Sequence, residues 1–151
     1  MTYSSSFERR PLDDGRLYDG VRTRRMVAFL IDYSIVALLM IPVSVMIFFL
    51  GIVTFGLGWM LYAMLFPLIA VPYIGLTMGG TSQATPGMRL LGLRIERLDG
   101  ALVDPVLAIL HGVVFWAANA VLTPAILLVG LFTPRKQLVQ DLLLGTVVVR
   151  R

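Results

Sequence analysis

"RRMVAFLID", Arg24 to Asp32, opens the apolar run that decides the fold of this chain. Two arginines stand at its entrance, and a carboxylate follows seven residues after Arg25. From Met26 to Met78 that carboxylate, Asp32, is the single formal charge. A membrane-spanning helix needs about 20 consecutive apolar residues, so the run is long enough for two. The 151-residue chain is 58% hydrophobic and only 15% charged, with a mean hydropathy of +0.85. Water-soluble domains are less than half apolar and about a quarter charged. The composition predicts an all-α integral membrane protein whose first partner is the lipid bilayer.

Several classes are excluded early. The polar stretch up to Arg25 and the length of the run that follows do not fit a secretory signal, whose apolar core is about 7–15 residues; an uncleaved anchor is expected. With no cysteine in the chain, disulfides, thiolate metal sites and cysteine nucleophiles are out of reach. A net charge of +4 reports loop orientation in a membrane protein rather than affinity for nucleic acid. No cofactor and no metal is expected.

Along the chain, residues 1–21 mix serine, proline, glycine and both charge signs without periodicity and read as a flexible arm, with order near Tyr18. A single membrane domain covers 22–151. Its first helix is predicted over about 22–50, kinked at Pro42, and its second over about 59–78, kinked at Pro67 and Pro72. Glycine-punctuated residues 51–58 form the turn between them, with Trp59, Tyr62 and Tyr73 as interface anchors. In the loop 79–104, Thr85 before Pro86 starts a short helical turn. The alternation Leu93, Arg94, Ile95, Glu96 ahead of Asp99-Gly100 predicts a small cytoplasmic β-hairpin, to which the terminal "GTVVVRR" adds a third strand. Residues 133–151 read as an amphipathic helix, with Thr133 as N-cap, Pro134 at the first helical position and Gly145 as stop, followed by that strand.

Orientation follows from the cations. All 13 Lys and Arg fall in the arm up to Arg25, the loop (Arg89, Arg94, Arg97) or the tail (Arg135, Lys136, Arg150, Arg151). Each segment therefore favours the cytoplasmic side. Two spans satisfy arm and loop. The remaining apolar segment, 105–132, is short for two complete crossings. It is either a re-entrant hairpin that returns the tail inside, or a third span that puts the tail outside.

The residues that carry chemistry are few. A charge at a helix centre costs about 2.5–3.5 kcal/mol on insertion scales, so Asp32 needs a partner, a bound cation or a proton. Arg25 lies about 10 Å away along the helix axis and snorkels to the headgroups instead. Asp32 is thus either a cation or proton site, or a structural acid that pairs helices. Asp141, beside Leu138 and Leu142, faces either solvent or an inward partner, for which Arg25 is the natural candidate. His111, the only histidine, reads as a satisfied core residue. Asn119 and Thr123 cap the break at Pro124 or lend oxygens to a cation. No nucleophile–base set and no phosphate-loop spacing is present, and no enzyme activity is expected.

Three pieces, "RMVAFLID", "TPGMRLLGLRI" and "RKQLVQDLLLGTVVV", together resemble the RDD family of bacterial membrane proteins, over residues 22–149. The resemblance implies that Arg25, Asp32 and Asp141 form the family's Arg/Asp/Asp set, in one polar cluster of a multi-pass cytoplasmic-membrane protein with its N-terminus inside. Met88 stands where members often have lysine, and Gln140 where many have histidine before the second aspartate. Transport of cations or protons has been suggested for some members. The leading expectation is accordingly transport of a cation, proton or other small ligand by a homo-oligomer. The alternative is an accessory or assembly subunit of a larger membrane complex, with the cluster as a structural lock.

Overall fold

A computed structural model describes Leu12, residues 14–122 and residues 132–150, apart from the side chains of 119–122. A 3-10 turn, Gly15–Tyr18, leads into α1, Val21–Val53. At 33 residues, α1 is about 50 Å long. It outlasts the expected stop at Leu50 by three residues, because Thr54 closes its end: the Thr54 hydroxyl donates to Leu50 O at 2.7 Å and accepts Gly58 N–H at 2.7 Å.

The second apolar segment is not one helix from its start. Leu57–Met64 is 3-10, and only Leu65–Met78 is α-helical (α2). Pro67 falls in the first turn of α2, where its missing N–H costs nothing; Pro72 alone lies in the interior. The expected interface anchors Trp59 and Tyr62 stay exposed while their polar ends bond to α1. Trp59 Nε1 donates to Phe48 O at 3.2 Å and Tyr62 OH to Ser44 O at 2.8 Å, clamping the 3-10 segment to α1. Tyr73 has a different partner, described below.

After α2, the short helix α3 (Pro86–Leu90) starts at Thr85 as expected. Strand β1 (Leu93–Arg97) then leads to the Asp99-Gly100 turn. The expected hairpin does not form. Instead Val103 N–H goes to Gln83 Oε1 at 2.6 Å, and the chain enters α4, Pro105–Leu122. The partner of β1 is the tail strand β2, Thr146–Arg150, antiparallel with Ile95 opposite Val148. The sheet thus has two strands rather than three, because Asp104-Pro105 commits the chain to a helix before a return strand can pair.

The tail helix is also shorter than expected: α5 spans Val139–Leu144 alone. Lys136 takes a positive φ of 51°, and Leu138 rather than Thr133 stands at the N-cap, its N–H accepted at 2.9 Å by Asp141 three residues on. The leucine side of α5 does not face inward. Gln140 and Asp141 are buried, while Leu142 and Leu143 are exposed.

The tightest core lies at one end of the helices. Val21 and Ala28 of α1, Met78, Ala84, Met88, Leu93, Ile95, Val103, Ala108 and Val148 pack together there. Strand β2 is buried on both faces, since Val147 and Val149 pack under Leu17 and Tyr18; this explains its unbroken β-branched run. Where α2 meets α4 the backbones nearly touch: a Cβ on Gly79 would lie 2.4 Å from Pro105 Cα. Farther along, the long helices point Met46, Phe49, Ile52 and Leu38 outward. That apolar surface far exceeds what a soluble monomer shows.

The tail contacts the entrance of α1: Lys136 Nζ donates to Tyr18 O at 2.9 Å. The 3-10 turn ahead of α1 packs on the tail strand, and the loop packs on the same strand and the start of α1. The course of residues 123–131, on which the choice between hairpin and span depends, lies outside the described residues.

Candidate functional site

Asp32 sits 11 residues into α1, about 16 Å from its start, and the loop comes down to meet it. Its Oδ1 accepts Tyr73 OH at 2.7 Å and Gly87 N–H at 2.8 Å, and its Oδ2 accepts the Thr85 hydroxyl at 2.5 Å. Thr85 in turn caps α3 through Met88 N–H at 3.2 Å. Three donors from two segments thus hold one carboxylate, and hydrogen bonds to a carboxylate are among the stronger ones a protein makes. Gly87 makes the approach possible: a Cβ there would stand 2.3 Å from Ala28 O and 2.8 Å from Asp32 Oδ2. The "TPG" of the loop is a socket for Asp32.

Asp141 belongs to a second node. It is fully buried, and Arg25 Nη1 donates to its Oδ2 at 2.5 Å across 116 residues of chain. The same oxygen accepts Leu138 N–H at the start of α5. Its Oδ1 has no hydrogen bond, and His111 Nε2 of α4 lies 3.6 Å away. The other ring nitrogen, Nδ1, is 3.4 Å from the Thr146 hydroxyl of β2. His111 is buried, in keeping with a core residue, yet it faces an acid rather than an apolar wall. Elements α1, α4, α5 and β2 meet at this point.

Among the described residues no hydrogen bond or ion pair joins Asp32 to Arg25 or Asp141. The structure thus brings Arg25 and Asp141 together and sets Asp32 in its own node, about two turns farther along α1. The side chain of Asn119 is not described, and Thr123 lies outside the described residues. Arg24, beside Arg25, donates to Leu91 O at 2.7 Å and fastens the end of α3 to α1.

Sequence reasoning missed Tyr73, Gly87 and Gln83. Gln83 Nε2 donates to Gly80 O at 2.9 Å and Val103 O at 2.8 Å while its Oε1 takes Val103 N–H, which laces the loop to the start of α4. The signals available were a polar amide in an apolar setting and a glycine directly after a capping Thr-Pro. Neither names its partner, because the partners lie 20 and 55 residues away.

Fold and site define a mostly helical protein, with two continuous helical stretches, Gly15–Val53 and Leu57–Met78, long and apolar enough to cross a bilayer and a small two-stranded antiparallel sheet. The chain belongs to the RDD family, whose model matches residues 20–145. Neither the curated proteins nor the solved structures contain a match to it.

Proposed function

We propose that this chain is a non-catalytic accessory or assembly subunit of a larger membrane complex, in which the Arg/Asp/Asp set locks a loop-and-tail platform to the membrane helices. The observation that carries this reading is that the chain itself engages both acids. Tyr73, Thr85 and Gly87 hold Asp32, while Arg25 and Leu138 N–H hold Oδ2 of Asp141. A cation at Asp32 would have to displace these donors. The platform faces the cytoplasm of a bacterial cell, with the N-terminus inside, in line with the clustering of all 13 cations in arm, loop and tail.

Mild-detergent purification of the full chain tests the proposal. A stoichiometric unrelated partner that is released by Asp141→Asn is the expected result. A pure self-assembly that carries sodium or protons into vesicles, with the flux lost in folded Asp32→Asn, would refute it. One observation favours that second, transporting reading: Oδ1 of Asp141 is a buried acceptor without a hydrogen bond, 3.6 Å from His111 Nε2.

A further inference from the structure

An open cleft of about 420 Å³, used by neither carboxylate node, is lined by Arg97, Asp104, Val106, Leu107, Leu110 and Leu144. Pockets for small ligands run from about 300 to 1,000 Å³. Three elements converge on it: Arg97 ends β1, Asp104 precedes α4, and Leu144 ends α5. Its floor is apolar and does not stop at the rim. Val106 and Leu110 are exposed on α4, as is Val113 one turn beyond, and this spacing sets the three on one helix face. The floor therefore continues into the outer surface of α4.

The mouth carries both signs of charge. Asp99 grips Arg97 through Nε and Nη2, and Nη1 has no protein partner among the described residues. Asp104 receives Leu107 N–H on Oδ1 at 2.8 Å, and a carboxylate has room for further donors. The charged residues that line the mouth, Arg97 and Asp104, are one of each sign, which suits a headgroup that carries a phosphate and ends in a cation.

We propose that this cleft binds a phospholipid with a primary-ammonium headgroup, the phosphate on Arg97, the ammonium on Asp104, and an acyl chain along Val106, Leu110 and Val113. The proposal rests on the reading that the outer face of α4 lies in the bilayer. A primary ammonium donates N–H bonds to a carboxylate. A quaternary choline has none to give, so Asp104 tells the two apart.

Native mass spectrometry of the full chain, titrated with equal amounts of phosphatidylethanolamine, phosphatidylcholine and phosphatidylglycerol, tests it. Phosphatidylethanolamine adducts are expected to lead by about two- to fivefold, the fold-change of an exposed ion pair. Asp104→Asn, which keeps the helix cap, should bring the three lipids to parity, while Arg97→Gln should lower all phospholipid adducts and Arg97→Lys restore them. Parity in the unaltered chain, or an undiminished preference in Asp104→Asn, overturns the assignment. Flotation with phosphatidylcholine vesicles separates the two possible failures. A chain that does not float defeats the bilayer reading and the cleft with it, whereas one that floats without headgroup preference defeats the cleft alone.

Discussion

The Arg25–Asp141 pair supports a quantitative prediction through a double-mutant cycle of Arg25→Gln, Asp141→Asn and both together. Asp141 is 0% exposed and Arg25 15%, so the two single changes are not equivalent. Arg25→Gln leaves a fully buried carboxylate without its cation, and breaking a buried pair in this way costs about 3–5 kcal/mol. That lowers the folded-to-unfolded ratio by roughly two to three and a half powers of ten. Asp141→Asn is milder. The amide oxygen still accepts Leu138 N–H, and Arg25, near the helix entrance, can swing its head to the headgroup region. Its cost is about 1–3 kcal/mol, that of a weakened buried hydrogen bond. The double variant removes both charges, so it should fall short of the sum by about 2 kcal/mol, within the coupling range of contacting residues. Reversible unfolding of the detergent-solubilised chain by a denaturing surfactant, followed through Trp59 and Trp116 fluorescence, gives the four stabilities. Additivity within about 0.5 kcal/mol would mean that the two residues do not interact, and the lock reasoning would fall.

Two further outcomes follow from the loop. Gly87→Ala should cost about 1–3 kcal/mol, the usual range for overpacking, because its Cβ would sit 2.3 Å from Ala28 O; the same unfolding assay checks it, and wild-type stability would disprove the Asp32 socket. Gln83→Leu should cost about 2–3 kcal/mol, since Val103 N–H and Val103 O both lose a buried partner, with faster amide exchange at Val103 as the local signature. Unchanged exchange there would show that the Gln83 lacing contributes nothing.

How much of this was legible beforehand differs from residue to residue. The first apolar helix, the Thr85-Pro86 helix start and the Gly145 stop follow from local composition and backbone chemistry and appear close to where expected, whereas the second apolar segment starts as a 3-10 helix and turns α-helical only at Leu65. For β1 the Asp-Gly turn signals a local hairpin, while the strand that pairs with it lies some fifty residues on. The tail helix was overextended because Thr133-Pro134 is a sound start signal with nothing to sustain the helix after it. Asp141, placed on the leucine side of α5, does face inward, but Leu142 and Leu143 turn outward, the reverse of a soluble amphipathic helix.

By itself the sequence determined that this chain carries apolar segments long enough to cross a membrane, that its cations belong to three segments, and that Asp32 requires a partner. Each is a one-dimensional property: apolar length, charge count, and the cost of a charge at a known depth. Only the tertiary structure decided who the partners are. Asp32 is met by Tyr73, Thr85 and Gly87, and Asp141 by Arg25 with His111 alongside, so the expected single cluster is two nodes. Hydrogen bonds are short-ranged and directional, and which donors arrive within 3 Å depends on how the loop and tail fold back on α1. That closure joins residues as far as 116 positions apart, and no local pattern in the chain records it.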